Sequence, residues 1–243
     1  MAALPAQAGR ADRLDALRGA AMVWMAAFHF CFDLNFLRFI PPQDFYNDPR
    51  WTLQRLCIVS LFLACAGVSQ ALALRQGQRW GRFWRRWLQL AGCALLVSVG
   101  SWFMFPASFI SFGVLHGLAV MLVVTRLTAR AGAWLWPAGL AAVLLPQWVQ
   151  HPFFDSRWTD WIGLVTHKPA VEDYVPLLPW LGVVWWGLAA GQWLAASRPA
   201  WLMGRLPRPL RGLAALGRWP LTFYMLHQPV LIGLLLLADA LRR

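Results

Sequence analysis

The stretch RLDALRGAAMVWMAAFHFCFDLNFL, residues 13–37, decides how this chain is to be read. It is apolar on nearly every side. At about 1.5 Å per residue it is long enough to cross roughly 30 Å of hydrocarbon. Yet it carries Arg18, His29 and Asp33. An ionisable group inside a membrane helix costs roughly 2.5–3.5 kcal/mol even on lenient insertion scales, so its presence points to a task. Arg18 and His29 are eleven residues apart. That spacing leaves them within about 20° of each other around the axis and roughly 16 Å apart along it. Asp33 follows His29 by four residues, falls on the same face and can reach the imidazole. One stripe therefore bears a cation near one surface, a histidine past mid-depth and a carboxylate beyond it. In that position Asp33 would fix the tautomer of His29 and favour the imidazolium formed when the ring takes a proton.

The rest of the chain repeats the theme. Of 243 residues, 59% are hydrophobic and only 13% charged, too little charge to cover a soluble domain of this size. The apolar residues fall in blocks at about 16–38, 51–74, 84–104, 109–128, 132–149, 177–196 and 219–240. Backbone polar groups in lipid must pair within their own segment, and no barrel-like alternation is present. The expected fold is an all-α polytopic transmembrane bundle of about seven spans. It forms one domain over 1–243, with residues 1–12 flexible. Pro137 is expected to bend the fifth span. The first block is too long for a signal-peptide core and has no small-residue cleavage site, so it is read as retained.

The net charge of +12 is a record of orientation rather than of nucleic-acid binding. With the amino terminus in the cytoplasm, the inside segments hold fifteen arginines, including Arg10 and Arg205. The outside segments and the tail at Arg242 and Arg243 hold seven basic residues. The segment RQGQRWGRFWRRW, 75–87, mixes arginine with Trp80, Trp84 and Trp87. It reads as an interfacial anchor on anionic lipid, or as an anion site for the phosphates of a cytoplasmic cofactor. The 150–176 connection, with Asp155, Asp160, Glu172, Asp173, Trp158 and Trp161, could cap an outward pocket; His151 and His167 read as solvated. Cys31, Cys57, Cys65 and Cys93 lie within apolar blocks without C-x-x-C spacing, so they read as core residues and not as a metal site.

Further ionisable groups in the spans are Arg55, His116 and His227. His116 enters from the outer side and His227 from the inner, at depths that allow both to meet His29 in one cavity. Ser69, Tyr224 and Gln228 are weaker polar candidates, since such groups often only bridge helices.

At these residues the chain resembles membrane acyltransferases. The Arg18–His29 spacing matches the broad acyltransferase-3 group. The motifs FHFCFDLNF (28–36), SLFLACAGVSQALA (60–73), FGVLHGLAV (112–120), PLLPWLGVVWWG (176–187) and LGRWPLTFYMLHQPVL (216–231) resemble bacterial relatives of heparan-alpha-glucosaminide N-acetyltransferase. The resemblance covers nearly the whole chain. It implies a bacterial inner-membrane enzyme that moves acetyl from cytoplasmic acetyl-CoA to a sugar or amine, a glycan for instance, reached from the outer face. It implies His29 as base or nucleophile, with Asp33, His116 and His227 in the catalytic group. The donor phosphates would fall to Arg18, Arg82, Arg85, Arg86 and Arg218. The acceptor would meet Arg55, Trp180, Tyr224 and Gln228. Homo-oligomers are common among such proteins. Two other classes use intramembrane histidines: proton-coupled transporters or channels, and haem cytochromes. No inverted repeat and no C-x-x-C-H motif favours either one.

Overall fold

Leu37, Arg38 and Phe39 close the first helix and fix where its polar stripe ends. In the computed structural model, which describes residues 11–204 and 206–242, helix α1 runs Asp12–Phe36. Phe39 N–H donates to the Leu34 carbonyl, and Arg38 N–H to that of Asn35. Arg38 takes the left-handed conformation at φ 60° that this type of helix end requires and that glycine usually supplies. The expectation of flexibility for residues 1–12 falls almost wholly on residues outside those described, as do Arg10, Arg205 and Arg243.

The remaining helices are α2 (Pro49–Arg75), α3 (Trp80–Met104), α4 (Val114–Leu127), α5 (Leu135–Trp148), α6 (Leu177–Ser197), α7 (Pro199–Met203), α8 (Arg211–Gly217) and α9 (Pro220–Ala240). Short 3-10 turns punctuate the loops, and no strand occurs among the described residues. Each expected block contains a helix. Three of them, α2, α3 and α9, are long and apolar enough to cross a membrane. α4 and the Ala129–Trp148 segment after it form a pair bent by 102°, which passes the same test of length and composition only when taken together. With 14 residues each, α4 and α5 extend only about 21 Å, short of the hydrocarbon thickness. α1 is long enough, but His29, Asp33 and Asn35 dilute its apolar character.

Pro137 does not bend the fifth segment. It sits in the first turn of α5, where a missing N–H costs nothing. The break lies earlier, at Gly132, whose positive φ of 58° interrupts the helical path between α4 and α5.

The described residues divide into two compact units, one from Met1–Phe62 and Arg198–Arg243, the other Leu63–Ser197, with the division inside α2. In the first unit α1 packs on α7, α8 and α9. The approach to α8 is close because glycine stands on both sides. A Cβ at Gly19 would collide with the Leu213 carbonyl, and one at Gly217 with that of Asp15. The short helices α7 and α8 fall in the 198–218 stretch, which in the sequence reads only as a basic connection. In the second unit α5 packs on α6, with Gly139 against Gly182, and Ala71, Leu135, Leu188 and Ala189 form a buried apolar cluster. The outward side of α3 is apolar and bare, with Leu96 at 63% and Phe103 at 81% exposure. In water so continuous an apolar face would be unfavourable; lipid covers it at no cost.

Candidate functional site

The polar groups of α1 meet α9 in the first unit. His227 and Gln228 are adjacent on α9, and both reach α1. His29 Nδ1 lies 2.7 Å from Gln228 Oε1 and 3.4 Å from His227 Nε2. Gln228 Nε2 donates to Asp33 Oδ1 at 2.8 Å. His227 Nδ1 donates to the Tyr224 carbonyl at 2.8 Å and lies 3.3 Å from that of Phe223. The His227 ring also stacks on Phe223, with planes 2° apart and centroids 5.7 Å apart.

Asp33 does not bond His29 directly. Residues four apart stand about one turn from each other along a helix, and the carboxamide of Gln228 fits between them. The carboxylate therefore acts on the imidazole through Gln228. Asp33 is 3% exposed, and its Oδ2 has no partner among the described residues. A buried oxygen left unpaired costs about 1–3 kcal/mol. His29 itself is half-buried. Beside it Phe45 stacks on Trp51 at 4.1 Å, and Phe28 meets both edge-on. This aromatic wall has no counterpart in the sequence-level expectations, because Phe45 lies in the 37–48 connection.

At the other end of α1, Arg18 Nη1 donates to Asp15 Oδ1 and to the Gly217 carbonyl, both at 2.8 Å. Arg218 pairs with Asp12 at 3.1 Å. Arg18 thus ties α1 to the last residue of α8, just before α9 begins. Arg55 is half-buried on α2 and makes no hydrogen bond or ion pair among the described residues. Tyr224 enters the cluster through its carbonyl.

The second unit holds the other expected residues. His116 has both ring nitrogens engaged locally. Nδ1 accepts from the Gly113 N–H at 3.3 Å, and Nε2 donates to Ser98 Oγ at 3.1 Å. Ser98 passes its own proton to the Ile110 carbonyl at 2.6 Å. The first bond closes the first turn of α4 and the second ties α4 to α3, a role that the apolar surroundings of His116 did not reveal. Ser69 donates to the Cys65 carbonyl within its own helix, and Trp180 is half-buried in α6. Arg82, Arg85 and Arg86 are exposed on α3. The aromatic residues of that segment divide, Trp80 and Trp84 being exposed and Phe83 and Trp87 turned inward. Phe83 is buried, Trp87 donates to the Ala119 carbonyl at 2.9 Å, and Arg126 lies over Trp80 and Phe83. No disulfide joins the four cysteines.

Helices long and apolar enough to span a bilayer, with two histidines, a carboxamide and a carboxylate joined between α1 and α9, define a membrane protein with a polar cluster set among its helices. The chain belongs to the family of the heparan-alpha-glucosaminide N-acetyltransferase catalytic region, which it matches over residues 10–229. No curated protein and no solved structure matches it.

Proposed function

We propose that this chain is a membrane acetyltransferase that takes acetyl from acetyl-CoA and passes it to a sugar or amine acceptor, with His29 as general base. The observation that carries the reading is the His29 ring. Its Nδ1 is bonded to Gln228 and His227 between α1 and α9, in a member of an acetyltransferase family. As the acceptor attacks the thioester carbonyl, His29 takes the proton from its hydroxyl, or from the ammonium centre formed when a neutral amine attacks. The C–S bond then breaks, and the proton passes to the CoA thiolate. The donor phosphates fall to the end of α1 where Arg18 and Arg218 stand, roughly 16 Å from His29 along the helix. The enzyme sits in a bacterial inner membrane with its amino terminus in the cytoplasm and seven crossings, so that donor and acceptor arrive from opposite faces.

The test is CoA release from acetyl-CoA by purified protein in liposomes, with glucosamine as the amine probe. The wild-type protein turns over. His29→Ala loses at least about 100-fold, the usual weight of a general base. Full activity in correctly folded His29→Ala and Arg18→Ala proteins would overturn the assignment.

A further inference from the structure

Gln228 stands among the residues that the resemblance would place on the acceptor, but its carboxamide is spent inside the protein. Its donor end is fixed by Asp33, since a carboxylate can only accept. Its oxygen must therefore face His29, and a carbonyl oxygen can only accept as well. The proton between them belongs to His29 Nδ1. A second chain of bonds reaches the same answer from the other side. The carbonyls of Tyr224 and Phe223 require His227 to carry its proton on Nδ1. That leaves His227 Nε2 as an acceptor, and it too points at His29 Nδ1. Two acceptors with independent origins thus converge on one ring nitrogen.

We propose that Gln228 is a positioning residue that, with Asp33 behind it and His227 beside it, locks His29 in the Nδ1–H tautomer and leaves Nε2 as the bare nitrogen. The inference rests on the reading of His29 as base, and it names the nitrogen that does the work. A neutral imidazole has one lone pair to offer. In the alternative tautomer that lone pair would lie at Nδ1, turned to Gln228 and His227, and Nε2 would carry the proton. The lock costs no conformational search at the moment of reaction, because its groups sit on two packed helices. It also gives the unusual sequence of two adjacent polar residues on an apolar helix a purpose. His227 and Gln228 each supply one acceptor, and neither alone has to hold the ring.

The experiment reads the tautomer directly and does not depend on turnover. Protein labelled with 15N at histidine is examined by NMR in lipid nanodiscs, with His29→Asn supplying the assignment. The expected result is Nδ1 protonated and Nε2 bare. In Gln228→Met the two tautomers mix, and kcat falls about five- to tenfold, the weight of one neutral hydrogen bond, while KM for acetyl-CoA stays within about twofold. Gln228→Glu, which holds a proton toward Asp33 and keeps an oxygen toward His29, restores the Nδ1–H form. A wild-type His29 found protonated at Nε2 would overturn the proposal even if Gln228→Met failed to fold. So would a tautomer unmoved by Gln228→Met, or one that Gln228→Glu does not restore. A locked tautomer in a protein that releases no CoA would sink the acetyl-transfer reading and leave the lock standing.

Discussion

Asp155 and Asp33 are carboxylates in opposite circumstances, and the contrast shows what each does. Asp155 lies in the 150–176 connection and has both oxygens bonded by Thr166. Oδ1 accepts from the backbone N–H, and Oδ2 from Oγ1, each at 2.7 Å. Those bonds, the hydroxyl first and the amide next, hold its carboxyl below the ordinary range, with a smaller contribution from His167. A lowered value means the contact is fully present above the ordinary carboxylate pKa, about 3.9, and is lost as pH falls through the lowered one. The loop pairing between residues 155 and 166 is therefore intact at every pH at which the enzyme would work. NMR titration of the Asp155 carboxyl carbon checks this. Its midpoint lies below the ordinary value and rises toward it in Thr166→Ala; a midpoint indifferent to that substitution would mean the hydroxyl bond is not formed. Asp33, with one oxygen bonded and one buried without a partner among the described residues, has no such complete set.

Among the helices, what the sequence displayed and what it hid divide along physical lines. The length and apolarity of the blocks located all seven long helical segments, because both are properties of a single element. The stripe Arg18–His29–Asp33 was legible for the same reason: helical period alone aligns it. Which partner fills the gap between His29 and Asp33 depends on how α9 is set against α1, and nothing local to either helix specifies that. The start of α4 was placed early, at 109, because Phe109 to Gly113 are apolar enough to continue a span. In the structure Phe112 instead accepts a backbone bond from Val175, and Gly113 caps the helix. The docking of α8 on α1 was equally hidden, since a glycine shows its value only against the carbonyl it lets approach. That docking sets the register of α1 just ahead of α9, and a consequence can be measured. Gly217→Ala and Gly19→Val each force a Cβ into a backbone carbonyl and lower stability by about 2 kcal/mol or more, within the range for overpacked contacts. Gly212→Ala, in α8 but facing open space, raises it by about 0.5–1 kcal/mol through helix propensity alone. Thermal unfolding of the three variants in one detergent compares them. Equal behaviour would show that the α1–α8 approach is not tight.

At the scale of the whole molecule, the arrangement of charge carries the argument about sidedness. From residue 49 to residue 154 the chain contains no acidic side chain, while the 75–86 segment holds five exposed arginines. In the proposed orientation such a cluster would stay on the cytoplasmic side during insertion and rest on anionic headgroups, with the exposed Trp80 and Trp84 at the same level. The 102° bend after α4 then decides where the following loop emerges. If α4 and α5 each cross, their junction faces the cytoplasm and the 150–176 loop lies outside. If they dip in and return as a re-entrant pair, the junction is buried in lipid and the loop still lies outside. If together they make one broken span, the loop lies in the cytoplasm. Single cysteines at Gln76, Ala131 and Ser156, in a background with Cys31, Cys57, Cys65 and Cys93 replaced, separate the three cases with a membrane-impermeant maleimide on intact and inverted vesicles. The seven-crossing arrangement expects Gln76→Cys and Ala131→Cys to label only in inverted vesicles, and Ser156→Cys only in intact ones. Labelling of Ser156→Cys from the cytoplasmic side would remove the outward-facing loop. With it would go the expectation that acceptor and donor approach His29 from opposite sides of the membrane.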